Sequence, residues 1–313
     1  MLRYVVRQVL AGILLTFAVT AITFALVFRD GPGIARRVLG QNATPAQVHA
    51  KVVELGLDRS VMEQYAQWLG HLFHGDLGSS FFTGEPVSEM LQTRIPVTLA
   101  VVLLALLFTV VLSVLIGVTA AVRGGALDRF LQVVGVIGAA VPNFVVAIVL
   151  VLTFAIALPW LPATGYVSPD VDPVGWARSL VLPVAAVLIG SVAGAAQQLR
   201  GAVIDTLSQD FVRTLRSRGI SERAIIFRHV LRSAAGPGLT ILSLQTIALM
   251  GGVVIIERVF AMPGMGLLAN SSALQGDVPV VMGSVLFTIV VVVVVNIAVD
   301  LLAGWLNPKA RLS

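Results

Sequence analysis

Six stretches of this chain run for at least 21 residues without a charge, and shorter polar or arginine-bearing segments separate them. They are Gln8 to Phe28, Ile95 to Val122, Phe130 to Pro169, Ser179 to Leu199, Ser233 to Ile256 and Val278 to Val299. A helix that crosses bilayer hydrocarbon needs about 20 residues, so each stretch is long enough to span. The fourth is the weakest, because Gly190, Ser191, Gly194, Gln197 and Gln198 dilute it. The third is long enough for two helices, but Pro159, Pro162 and Gly165 break it beyond Leu158, which predicts one long span followed by a loop. The pattern predicts an all-α membrane protein with six transmembrane helices.

Between the first two spans the periodicity becomes that of short amphipathic helices. Thr44 followed by Pro45 predicts a helix start, and Val48, Val52, Val53 and Leu55 follow at helical spacing. Val61, Tyr65, Trp68, Leu69 and Leu72 form a second pattern that Gly75 stops. Met90, Leu91 and Ile95 begin a third, predicted to run up to Pro96, where span two starts with proline at its first position. Arg123-Gly124-Gly125 predicts a tight turn after span two. In span three, Pro142-Asn143 predicts a kink, either a bend that neighbouring helices accommodate or part of a moving pathway helix. Trp160 and Trp176 in the following loop mark membrane depth, and Gly190, Ala193, Gly194 and Ala195 permit close packing of span four. Asn296 and Asp300 lie four apart on one face of the last span and read as packing or capping groups.

Composition agrees with lipid embedding: 57% of residues are hydrophobic, 12% are charged, and the mean hydropathy is +0.95. Charge sets the expected orientation. With both termini in the cytoplasm, the inner pieces hold Arg3 and Arg7, then Arg123, Asp128 and Arg129, then seven arginines against Asp205, Asp210 and Glu222, and finally Lys309 and Arg311. The outer connections then carry a net negative charge, as the positive-inside rule requires. The first stretch is expected to be a retained anchor rather than a cleaved leader, since no small-residue cleavage site follows it before Phe28-Arg29-Asp30.

Several chemistries are excluded. The chain has only two lysines, Lys51 after Ala50 and Lys309 after Pro308, so no Gly-Lys-Ser/Thr phosphate loop exists and any nucleotide must act through another chain. Absence of cysteine rules out disulfides and thiolate metal sites. His71 and His74 share a helix face near Asp76 but fall short of a metal ligand set, and no catalytic group is placed within a span. No cofactor, metal or nucleic-acid site is expected.

The most distinctive segment is the arginine-rich insert between spans four and five, with Arg213, Arg216, Arg218, Arg223, Arg228 and Arg232 among the chain's 21 basic residues. Asp205 to Arg218 and Ser221 to Arg232 read as two short helices, with Gly219 at a helix end that needs a left-handed backbone. Ser221-Glu222 starts the second, and Ile225, Ile226 and Val230 supply its apolar positions. Charge alone leaves three readings open: a topology anchor, a helix on anionic lipid, or a projection that docks on a partner.

Phe211 to Thr240, FVRTLRSRGISERAIIFRHVLRSAAGPGLT, resembles the cytoplasmic loop of ATP-binding-cassette importer membrane subunits. More closely it resembles the B-type permease subunit of the dipeptide and oligopeptide importers, a family that also includes nickel and glutathione transporters. The importer pattern is Glu-Ala-Ala, three further residues and then glycine; the matching positions are Arg213-Thr214-Leu215 and Gly219, where peptide permeases commonly carry Arg-Thr-Ala in the triplet, so Leu215 departs mildly. Leu55-Gly56-Leu57-Asp58-Arg59, Gly75-Asp76-Leu77-Gly78-Ser79, Arg94-Ile95-Pro96-Val97-Thr98-Leu99 and Glu257 to Gly266 resemble further parts of that subfamily. So do Asp277-Val278-Pro279-Val280-Val281 and the tail Asn307-Pro308 with Arg311.

The resemblance implies a type I importer permease fold in a bacterial inner membrane. Residues 1–28 would form the N-terminus and first span, 29–95 an external helical segment, and 96–313 a core with a coupling loop at 200–235 and an external loop at 257–279. It implies a C-type permease partner, one or two ATPase chains that hold ATP and magnesium, and an external solute-binding protein that delivers peptide. Coupling to the ATPase would fall on Asp210, Arg213, Thr214, Leu215, Arg216, Arg218, Gly219, Ser221, Glu222 and Arg223. Pro142, Asn143, Phe260, Met262 and Met265 are candidates for the translocation path or gate, with ordinary packing as the equal alternative for the last three. Short-peptide import leads nickel or glutathione import within that family, and an ATP-independent secondary transporter is the competing class.

Overall fold

The structure, a computed structural model, describes residues 2–28 and 30–306. Arg29 and the tail motif Asn307-Pro308 with Lys309 and Arg311 lie outside the described residues. Among the described residues the regular structure is helical. Five helices are long and apolar enough to cross a membrane, and a bent pair makes six if it is counted as one span. The chain forms two compact units, one of residues 2–98 and 263–293, the other of residues 99–262 with the segment from 294 onward.

In the first of these units, α1 (Leu2–Val27) is followed by α2 (Gly31–Leu39), α3 (Pro45–Glu54) and α4 (Val61–Phe73). Capping boxes start α3 and α4: Thr44 with Gln47 and Ser60 with Glu63 satisfy amide groups that the first helical turn leaves open. Helix α2 was not foreseen. Its start is local chemistry, with the Asp30 carboxylate accepting from the Gly33 amide at 2.8 Å and proline in the first turn, while Ile34 and Ala35 are buried. Helix α4 packs on α1 through an aromatic seam: Tyr65 stacks on Trp68 and meets Phe24 edge-on, and its hydroxyl lies 2.8 Å from Thr20 Oγ1. Phe24, Phe28, Ile34, Val48, Leu57 and Met282 form the buried cluster beneath these helices.

The third short pattern is not a separate helix. Helix α5 runs unbroken from Val87 to Arg123 with Pro96 inside it, so the expected stop at Pro96 is overturned. An internal proline removes one backbone hydrogen bond. Burial on both sides outweighs that loss, because Val87, Leu91, Val97, Thr98 and Val101 are all buried along one continuous helix.

In the second unit, α6 (Gly125–Ala140) and α7 (Asn143–Leu150) meet at a 98° bend. This exceeds the expected kink because the helix ends and restarts: Val141 is extended at φ −84°, ψ 124°, the conformation favoured before proline, and Asn143 begins the next helix. Helix α7 passes into a π-helical stretch, Val151–Ala157. Helix α8 (Pro173–Leu207) is longer than its apolar run at both ends. Asp172 caps it through the Val174 amide, and Pro183 lies within it. Where α5 passes α8 the backbones nearly touch: a Cβ at Gly117 would stand 2.8 Å from the Ala196 carbonyl oxygen. Helices α6 and α8 are joined by a pair at a sequence separation of 72, in which the Arg200 guanidinium donates to both carboxylate oxygens of Asp128 and Gln132 donates to the same carboxylate at 3.0 Å.

Candidate functional site

The insert is built directly onto α8. The expected helix from Asp205 to Arg218 is two pieces: Asp205 belongs to the last turn of α8, Gln209 is extended at φ −73°, ψ 149°, and α9 runs Asp210–Ser217. Val203 and Thr206 are buried, which holds α8 in register as far as Leu207. The second predicted helix begins where expected. The Ser221 hydroxyl accepts from the Ala224 amide at 3.4 Å, and α10 (Glu222–Ala224) continues through a π-helical turn, Ile225–Val230, into α11 (Leu231–Val259). Gly236, Pro237 and Gly238 therefore lie inside α11. The packed π-helical turn ahead of them provides the entry that an isolated Pro–Gly signal does not reveal.

Between α9 and α10 stands a fully formed left-handed cap. Gly219 has φ +76°, its amide donates to Arg216 O at 2.9 Å, and the Ile220 amide reaches back to Leu215 O at 3.2 Å. Leu215 and Ile220 both pack on a buried cluster containing Val118, Leu199, Val203, Val212, Ile225 and Val230, which joins the insert to α5 and α8. Val212 and Ile225 have no exposed surface, and burying such a side chain contributes about 1.5–3 kcal/mol. The result is a knob with an apolar underside and a charged outer face, joined to α8 across the break at Ser208 and Gln209 and to α11 through the π-helical turn.

The outer face carries the predicted residues. Asp210, Arg213, Thr214, Arg216, Arg218, Gly219, Ser221, Glu222 and Arg223 are exposed, and Leu215 is half-buried as part of the anchor. Arg216 grips Glu222 through two hydrogen bonds, Nε to Oε1 at 2.5 Å and Nη2 to Oε2 at 3.2 Å. This bond pair holds the Glu222 carboxyl below its ordinary range and raises the Arg216 guanidinium. It also staples α9 to α10 across the Gly219 turn. Arg213 lies 3.7 Å from Asp210, both highly exposed. Two aromatic residues on this surface were missed, Phe211 at 37% and Phe227 at 62% exposure. An aromatic at a solvent-facing helical position in an arginine-rich stretch was the available signal.

The pathway candidates are placed as follows. Pro142 and Asn143 stand at the 98° bend. Phe260 and Met262 are buried beyond the end of α11, where Gly165 donates to the Phe260 carbonyl at 2.7 Å. Met265 is buried in the other unit at the start of α12 (Met265–Gln275), and its amide donates to Thr98 Oγ1 at 2.8 Å. After α12, the buried Asp277 precedes α13 (Val278–Leu306) and accepts from the Ser80 hydroxyl at 2.5 Å and the Phe81 amide at 3.1 Å. Burial pushes its carboxyl above the ordinary value. His71 Nδ1 lies 3.0 Å from Asp76 Oδ2, and among the described residues no three metal-binding side chains converge.

A projecting loop fused to membrane-spanning helices marks a multi-pass membrane protein, and comparison with known proteins gives its class. Residues 113–312 match the family described as binding-protein-dependent transport system inner membrane component, and residues 1–102 match its N-terminal companion. The chain belongs to that family, and is the multi-pass inner-membrane permease subunit of an ATP-binding-cassette importer. It falls with the dipeptide and oligopeptide permeases that its motifs resemble. It is 36% identical to a protein of Brucella abortus (strain 2308) provisionally named a peptide transport system permease, over 98% of each chain. It is 34% identical to the di/tripeptide permease DppB of Pseudomonas aeruginosa (strain UCBPP-PA14) and 31% identical to the oligopeptide permease AppB of Bacillus subtilis (strain 168), over 99% of each chain. The fold is shared with a chain of the inward-facing MetNI methionine ABC transporter, at a TM-score of 0.57 and 17% identity over 70% of this chain and 97% of that one.

Proposed function

We propose that this chain forms one half of the pathway through which dipeptides or short oligopeptides enter the cytoplasm, driven by ATP bound with magnesium on a partner ATPase. A solute-binding protein delivers the peptide on the outer side, a C-type permease supplies the other half of the pathway, and both termini of this chain lie in the cytoplasm. The observation that carries the proposal is the knob at 208–230, whose exposed face is charged and whose buried face is locked to α5 and α8. Force applied to Arg213, Arg216, Arg218 and Arg223 would pass into α11 along the chain and into α8 through the buried packing of Val212 and Leu215. Closure of two ATPase subunits would draw this loop toward that of the second permease and turn the spans from inward-open to outward-open. Hydrolysis would reset them. The names of the relatives support peptide as cargo.

The test is uptake by proteoliposomes that contain the whole complex. Labelled di- and tripeptides should accumulate only with the binding protein outside and ATP inside. Accumulation without ATP, driven by an ion gradient, would show a secondary transporter instead.

A further inference from the structure

A cavity of about 620 Å³ opens where the first turns of α11 pass α5 and α8, at the foot of the knob. Its depth is apolar, with Val110, Leu199 and Leu242 among its walls, while Arg228 and Arg232 stand on its rim beside the exposed Phe227. From the level of Arg232 to that of Leu242 the helix rises about 15 Å. That is half of a bilayer's hydrocarbon thickness of roughly 30 Å, the depth of one leaflet. We propose that this cleft holds an anionic phospholipid, its phosphate on the Arg228 and Arg232 guanidiniums and one acyl chain lying between α5, α8 and α11.

Charge and length choose this occupant. Two guanidiniums four residues apart suit a phosphate, which accepts paired hydrogen bonds. The hydroxyls of Thr109 and Ser113 at the deep end have no hydrogen-bond partner. A χ1 rotation brings each to the carbonyl four residues back, the bond that Thr119 and Thr206 make, so an acyl chain leaves neither stranded. A lipid seated here would wedge the first turns of α11, through which the knob joins its span.

The test is native mass spectrometry of the intact importer complex after exchange into mixtures of phosphatidylglycerol and phosphatidylcholine. The wild type should retain phosphatidylglycerol preferentially. Replacing both arginines, Arg228→Gln with Arg232→Gln, should weaken that retention roughly 30-fold, about fivefold for each charge. Leu242→Trp, which fills the cleft and keeps the charges, should release either lipid. Labelling of wild-type residues near Leu242 by a phosphatidylglycerol carrying a photoreactive group at its acyl terminus gives a readout that needs no variant. Equal retention of both lipids, displacement by inorganic phosphate alone, or cross-linking of the cleft to a helix of the second permease would overturn the proposal.

Discussion

Gly219 isolates a single physical cause, because a side chain there would meet nothing within 4 Å and only the backbone conformation changes on substitution. At φ +76° an L-residue crowds its own carbonyl, at about 1–2 kcal/mol. Gly219→Ala should therefore lower the population of the native turn by a factor of roughly 5–30. Asparagine tolerates this region better, so Gly219→Asn should lose less. Gly219→Pro cannot reach the required φ, and it deletes the amide that donates to Arg216 O at 2.9 Å, so it should lose about 3 kcal/mol or more. The assay is ATP-dependent uptake by reconstituted complex, with membrane expression and subunit co-purification as controls. Uptake should fall in the order Gly, Asn, Ala, Pro. Wild-type uptake by Gly219→Pro, or a greater loss in Ala than in Pro, would refute the assignment of this turn to force transmission.

Three further outcomes follow from the same geometry. The Glu222 carboxyl is held below its ordinary value of 4.5 by Arg216, so its contribution to loop order is present above pH 4.5 and lost only as pH falls through the lower folded value. Hydrogen exchange of the 208–224 amides, corrected for intrinsic rates, should show no such transition from pH 6 to 8, and Glu222→Gln should speed exchange throughout that range. Asp277 has the opposite sign. Its folded value lies above 3.8 because of burial, so between 3.8 and that value stability falls as pH rises, and melting of Asp277→Asn should lack that pH-dependent step. Arg200→Gln should destabilise the protein, since it leaves the Asp128 carboxylate without the guanidinium that grips both its oxygens. The double change Asp128→Leu with Arg200→Met should recover most of that loss in thermal melting, whereas additive losses would contradict the pairing.

Local chemistry made much of this molecule legible. Thr44-Pro45 and Ser221-Glu222 start helices because a hydroxyl meets an amide three residues away, and Gly219 ends one because its backbone can turn left-handed. Pro142 breaks its span for an equally local reason. The failures have the opposite origin. Pro96 lies inside a helix because buried residues on both sides overrule its preference, and Asp205 stays in α8 because Val203 and Thr206 are packed. The Asp128–Arg200 and Ser80–Asp277 contacts join residues 72 and 197 positions apart, a distance over which helical periodicity carries no information. For the knob, the charged face could be read from spacing and resemblance. Its anchoring through Val212 and Ile225, and the exposure of Phe211 and Phe227, required the packing.

The central claim is that the knob at 208–230 meets an ATPase inside the cell, and the absence of native cysteine makes it directly testable. Arg213→Cys, on the exposed face of α9, places a single thiol on the chain. In the assembled complex this thiol should form a short-range cross-link to cysteines introduced on the ATPase surface, and it should stay unlabelled by a membrane-impermeant maleimide added to intact cells. Labelling from outside, or an assembled and active complex in which no ATPase position cross-links, would contradict the account.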